Sequence, residues 1–285
     1  MLETVTRPAY PSLKQTWGLL GITILAALVL NILFLLLGFV LTQAGSAALS
    51  ETIISHPLTM LLTYVMLFFF IIWIAIRKKT RAEGHFSPNY SLPSPLSILL
   101  ITIATLGIYF LVDPLVDLIP MPEFIEQLFL QLLGDQTIWS MITLVIAAPI
   151  CEELLLRGII LDGLLKIYSP GKAVIWSAVF FGLFHLNPWQ FIPALALGLF
   201  MGWIYYRTRS LAVTMLIHFI ANGTGTLLGW LFMPESQDLI PTRELIGNNV
   251  LYFSLLALAL LLTVFSIFIL NKNFKTQKKS TTIFF

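Results

Sequence analysis

Three short patterns carry residue types that can do chemistry. Glu152 and Glu153 stand together, with Arg157 four positions after the second glutamate. Phe181 precedes His185 by four, and His218 precedes Asn222 by four. Each lies within or beside a run apolar enough to be read as membrane-embedded. A charged side chain at mid-bilayer costs about 2.5–3.5 kcal/mol on insertion scales, so three of them in "PICEELLLRGI" need a function or a partner. Glu153 and Arg157 share a helix face in the favourable acid-before-base order, and a buried guanidinium needs such a counter-charge. Glu152 points about 100° away, without a partner in its own helix. A partly desolvated carboxylate of that kind suits a proton-transferring base.

Depth supports reading these groups as one site. At 1.5 Å rise per residue, Glu152 lies ~12 Å from the inner helix end, His218 ~10 Å, Asn222 ~16 Å and His185 ~18 Å. Isolated intramembrane His or Asn residues usually bond helix to helix. Five polar groups at a similar level, on three spans, point instead to function. Asp113 and Asp117 flank Pro114 near an outer helix end and are expected to be interfacial and solvated. Cys151 is the only cysteine and is expected to be a small packing residue. Ala194, Gly198 and Gly202, and likewise Gly225 and Gly229, are spaced for close helix packing.

The elements that must hold these groups are membrane helices. Of 285 residues 58% are hydrophobic and 11% charged, and the mean hydropathy is +0.91. This composition excludes an ordinary soluble domain, and a net charge of +2 gives no reason to expect nucleic acid. The expected fold is all-α, a polytopic membrane protein of about eight spans: 17–42, 57–76, 96–119, 138–160, 173–187, 190–206, 211–232 and 247–271. Arg7 and Lys14 before the first span, and "AGSAA" after it, resemble a signal peptide, but the apolar run is long enough for an uncleaved anchor. The stretch 77–95, opening with "RKKTR", is expected to be a cytoplasmic linker. Its charges would set topology beside anionic lipid, and His85 within it would be solvated.

With the N-terminus inside, all but Arg243 of the 16 basic residues fall on the inner side, including Arg157 and the tail lysines. Glu51, Glu123, Glu126, Asp135, Glu235, Asp238 and Glu244 gather outside. This basic asymmetry predicts that both termini are cytoplasmic, in a multi-pass protein of the plasma (cell inner) membrane. The organisation expected is N-terminal spans and linker over 1–137, a catalytic core over 138–232, and an outer loop, last span and basic tail over 233–285.

Glu152-Glu153-x-x-x-Arg157, Phe181-x-x-x-His185 and His218-x-x-x-Asn222, in that order on successive helices, resemble the CAAX prenyl protease and bacteriocin-processing (CPBP, or Abi) intramembrane proteases. The resemblance covers about 138–232. It implies a helical core opening to the cytoplasm, hydrolysis of a peptide bond by an activated water, and Glu152 as the essential acid. The family is commonly described as metalloproteases. Two arrangements fit the residues. In one, Glu152, with His185, deprotonates water while His218 and Asn222 donate to the oxyanion. In the other, His185, His218 and Glu152 hold one divalent metal such as Zn²⁺. The second would leave Glu153 as base while tied to Arg157, and Asn222 looks more like an oxyanion donor than a ligand. Glu153, Arg157 and Phe181 would support the site. The partners expected are membrane lipid and a membrane-associated peptide or protein substrate. The competing classes are a proton- or cation-coupled transporter and a non-proteolytic immunity or scaffold protein of the same fold.

Overall fold

The computed structural model describes residues 8–134, 137–232 and 241–282, without the side chains of residues 128, 131–134 and 275–282. Arg7, Asp135, Glu235 and Asp238 lie outside the described residues, as do the side chains of Lys275, Lys278 and Lys279. In chain order the helices are α1 (Leu13–Gln43), α2 (Ala47–Ser55), α3 (Pro57–Glu83), α4 (Pro95–Val116) and α5 (Glu123–Gly134), then α6, a helical run over 138–167. There follow α7 (Pro170–Leu183), α8 (Pro188–Thr208), α9 (Leu211–Phe232), α10 (Thr242–Ile246) and α11 (Asn249–Thr282). Among the described residues the fold is all-α, with one isolated bridge between Asn89 and Ser210.

Local sequence sets the boundaries. Ser12 and Gln15 form a reciprocal capping box that starts α1. Pro57, Pro95 and Pro188 open α3, α4 and α8 at positions that need no backbone N–H. His56, Ser94 and Asn187 accept the first free amides of those same helices. Gly84, at φ 94°, stops α3 in the left-handed conformation.

Among the described residues five helices are long and apolar enough to cross a membrane: α1, α3, α4, α9 and the Asn249–Phe274 part of α11. Only 6% of the most apolar window of α1 is buried, and 17% of that of α11. Apolar faces turned outward on this scale are what a lipid solvent requires. The chain is an integral membrane protein. The expected fifth span is a helix of 14 residues, and the expected fourth is not a plain α-helix. Within α6, π-helical turns at Ile142–Ala147 and Leu154–Leu161 flank the α-helical Ala148–Glu153.

The chain divides into two compact units, residues 1–87 with 135–169, and residues 88–134 with 170–285. In the first, α6 packs against α3, and α1 and α2 pack against α3. An ion cluster ties its chain segments together. Lys79 is 2% exposed. Its Nζ reaches Glu83 at 3.0 Å and Asp162 at 2.8 Å, and donates to the Tyr10 carbonyl. Lys166 pairs with both carboxylates at 2.7 Å, and the Tyr10 N–H donates to Glu83. Gly163 lies so close to the Tyr10 carbonyl and Pro11 that a Cβ there would overlap them. The expected linker is therefore shorter. Helix α3 runs through "RKKTR" to Glu83, and Lys79 within it turns inward to the half-buried carboxylates of Glu83 and Asp162.

In the second unit α8 packs along α7, and α4 along α11. A Cβ on Gly198 would sit 3.0 Å from the Ala178 backbone, and one on Gly202 would sit 3.0 Å from Val174. Gly225 meets the Tyr109 hydroxyl at 2.8 Å in the same sense. At Gly198, Gly202 and Gly225 the small-residue spacing does mark close helix packing. Asp113 corrects an expectation. It is half-buried rather than solvated, and its Oδ1 accepts a 2.8 Å hydrogen bond from Thr242. Asp117 and His85 are exposed.

Candidate active site

In the first unit the two glutamates have separate surroundings. Glu153 and Arg157 are both fully buried, with Nη1 to Oε1 at 2.8 Å along the helix. The fixed one-turn spacing makes this pair, and it gives the fully buried guanidinium a counter-charge. Glu152, one residue earlier, is half-buried and faces a different neighbour. The Tyr64 hydroxyl of α3 donates to its Oε1 at 2.5 Å. Tyr64 is itself stacked on Phe68, one turn along α3, with centroids 4.7 Å apart. This short hydrogen bond from across the unit orients the Glu152 carboxyl group.

Glu152 and Glu153 end the α-helical stretch between the two π turns. Each π turn inserts a residue into the α-helical register, and such turns recur where side chains must be re-aimed for function. Cys151 is a half-buried free thiol beside them.

In the second unit Phe181 organises the histidines. The rings of His185 and His218 each meet it edge-on, with centroids 5.3 Å away and interplanar angles of 76° and 75°. His218, 4% exposed, projects from α9, and Asn222 is half-buried one turn further on. The expected span at 173–187 places His185 near its end, and in the structure His185 lies beyond the end of the helix. Helix α7 ends at Leu183, and His185 sits in the turn before α8.

Several contacts close that turn. Leu186 adopts φ 58°, and Asn187 accepts from the Gln190 N–H while its amide donates to the His185 carbonyl. Gly182 leaves room for Phe191 to fold over it, where a Cβ would be 2.6 Å from the ring. The "HLNPWQ" sequence dictates this, since Pro188 cannot prolong α7 and Asn187 caps the next helix.

The tautomer of His185 follows from its partner. Nδ1 lies 2.9 Å from the Phe181 carbonyl oxygen, which can only accept, so Nδ1 carries the proton. Nε2 is then the atom left to take or share a proton when the ring is neutral.

The structure thus joins Glu153 with Arg157, Glu152 with Tyr64, and Phe181 with both histidines. Among the described residues no group of three His, Cys, Asp or Glu side chains is disposed to hold a metal ion.

Tyr64 is the residue the sequence reading missed. It lies in the apolar "LLTYVMLFFF" of α3, where nothing in spacing separates it from a packing aromatic. A phenol hydroxyl in mid-span is a weak signal by itself.

Residues 134–224 match the family model described as type II CAAX prenyl endopeptidase Rce1-like. That segment contains Glu152, Glu153, Arg157, Phe181, His185, His218 and Asn222, and the resemblance drawn from these motifs is borne out over it. Tyr64 lies before it. Neither a curated protein nor a solved structure matches the chain.

Proposed function

With a Rce1-like segment at 134–224 as the premise, we propose that this protein is an intramembrane endopeptidase. It hydrolyses a peptide bond of a membrane-associated protein or peptide, with Glu152 as the general base. The observation that carries the reading is the unequal treatment of two adjacent carboxylates. Glu153 pairs through its Oε1 with Arg157 in a fully buried contact, while Glu152 is half-buried and accepts from the Tyr64 hydroxyl. A merely structural pair would have no use for the second acid.

In this reading Glu152 accepts a proton from water as its oxygen attacks the scissile carbonyl. Geometry is the first requirement of such a base, and the Tyr64 hydroxyl contributes to it by holding Oε1 of the carboxylate. His218 and Asn222, one turn apart on α9, are assigned as donors to the tetrahedral oxyanion. Preorganised donors of that kind stabilise charge that appears only in the transition state. His185, with its proton fixed on Nδ1, shares water deprotonation through Nε2. The proton then passes to the amine as the C–N bond breaks. Phe181 keeps the two imidazoles in their edge-on arrangement, and Arg157 keeps Glu153 out of the reaction.

The same reading takes the apolar segments as about eight crossings with both termini in the cytoplasm, in the plasma (cell inner) membrane. The support is the distribution of basic residues. The deciding experiment compares the membrane proteomes of cells carrying the wild type or Glu152→Gln. A membrane-associated polypeptide cleaved only with the wild type supports the assignment, whereas an unchanged set of protein termini overturns it.

A further inference from the structure

Helices α1 and α3 of the first unit leave two cavities along their seam. One, of about 500 Å³, lies where the start of α1 meets the end of α3, among Gln15, Gly18, Lys78 and Arg81. The other, of about 440 Å³, is walled only by apolar side chains, from Ile22 to Leu33 on α1 and from Met66 to Phe70 on α3. Ile22 borders both, so the polar-ended and apolar cavities adjoin at that residue. A Cβ placed on Gly18 would meet nothing within 4 Å, so the space beside it is open.

The basic run at the end of α3 is divided in a way that matters here. Lys79 turns inward to Glu83 and Asp162. Lys78 and Arg81, three apart and therefore neighbours on the helix surface, stay exposed and border the first cavity. Arg77 turns elsewhere, its guanidinium 3.9 Å from the centroid of the Trp73 ring.

We propose that this seam is a binding site for one anionic phospholipid. The phosphate would lie against Lys78 and Arg81, and an acyl chain would lie along the trough between Ile22 and Leu33. Dimensions and charge both favour this occupant. The rise from Ile22 to Leu33 is ~16 Å, about one leaflet of a ~30 Å hydrocarbon core. Two cations at one end of an apolar trough complement an anionic headgroup on a hydrocarbon tail, and a neutral headgroup would leave that charge unanswered. The site is independent of the proposed proteolysis, because none of the residues assigned to the reaction borders either cavity.

The test uses the full chain in phosphatidylcholine nanodiscs with phosphatidylglycerol mixed in, reading the lipid retained after transfer to detergent by native mass spectrometry. Each basic residue near a headgroup typically contributes roughly fivefold, so the wild type should prefer phosphatidylglycerol by about 25-fold. Lys78→Ala with Arg81→Ala should abolish the preference, and Arg77→Ala should keep it. Gly18→Trp, which adds its ring to open space, should lower retention of phosphatidylglycerol with no drop in melting temperature. Equal retention of the two lipids by the wild type would overturn the proposal. So would a preference that survives the double substitution, or that falls equally with Arg77→Ala. Binding of glycerol 3-phosphate as strong as that of the intact lipid would also overturn it, by showing a plain anion site.

Discussion

The adjacent acids give the sharpest contrast at the residue scale. Glu152→Gln should abolish cleavage and leave the melting temperature of the purified protein nearly unchanged, because an amide still accepts the Tyr64 hydrogen bond. Glu153→Gln should instead destabilise by about 3–5 kcal/mol, since it leaves Arg157 buried without its counter-charge. Melting curves and activities of both variants check this, and an early-melting Glu152→Gln beside a stable Glu153→Gln would reverse the roles. Tyr64→Phe tests orientation of the base. Loss of a hydrogen bond to a charged group removes about 1.5–3 kcal/mol, so kcat should fall by roughly 10- to 100-fold. KM should change little, because the phenol acts on the carboxylate and not on bound peptide. A change confined to KM would remove Tyr64 from the mechanism.

At the scale of elements, close backbone approach holds α8 against α7, the helix that carries Phe181. Gly198 lies against Ala178 and Phe181, with a notional Cβ 3.0–3.2 Å from them. Gly198→Val should therefore push α8 from α7 and destabilise by about 1–3 kcal/mol, the usual range for overpacking. Because Phe181 carries the edge contacts to both imidazoles, activity should fall along with melting temperature. An unaltered melting temperature would contradict the packing.

The ion cluster joining α3, α6 and the segment around Tyr10 predicts a pH dependence. Burial alone would raise the Asp162 carboxyl, but hydrogen bonds and charge from Lys166 and Lys79 outweigh it and hold its pKa below the usual value. Burial would lower the Lys166 ammonium, yet Asp162 and Glu83 hold its pKa above the usual value. Stability from Asp162 is thus fully present above its unfolded pKa of about 3.9 and is lost as pH falls through the lower folded value. That from Lys166 is fully present below about 10.4 and is lost as pH rises through the higher folded value. Melting temperature against pH should show a plateau between these limits. Asp162→Asn should lower the plateau and flatten its acid edge, whereas an unchanged acid edge would place the cause elsewhere.

For the whole molecule, the proposed crossings make a topological prediction. Reporters fused after Phe285 and near Gly84 should both read cytoplasmic, and one inserted between Ile119 and Glu123 should read exterior. An exterior reading after residue 285 would break the eight-crossing arrangement, because an even number returns the chain to its starting side. The five long apolar helices already require a membrane. The short α7 gains its support within the second unit, where it packs along α8 through Gly198 and Gly202.

Much of this protein was determined by the sequence alone, and the reason is that the decisive constraints are local. A charge in an apolar run is visible without a structure, and residues four apart on a helix must share a face. The Glu153–Arg157 pair follows from that geometry, as do the all-α class, the close-packing glycines and the motifs carried by the Rce1-like segment. Tertiary structure alone decided what depends on distant chain segments meeting. Tyr64 reaches Glu152 across 88 positions, and Lys79 reaches Asp162 across an interval with no periodicity to read. His185 falls outside its helix because Leu186, Asn187 and Pro188 together close a turn there. A hydropathy window averages over that turn and cannot register it. Hydrophobic spacing specifies which face of a helix is apolar, but it does not specify which polar atom on another helix that face will meet.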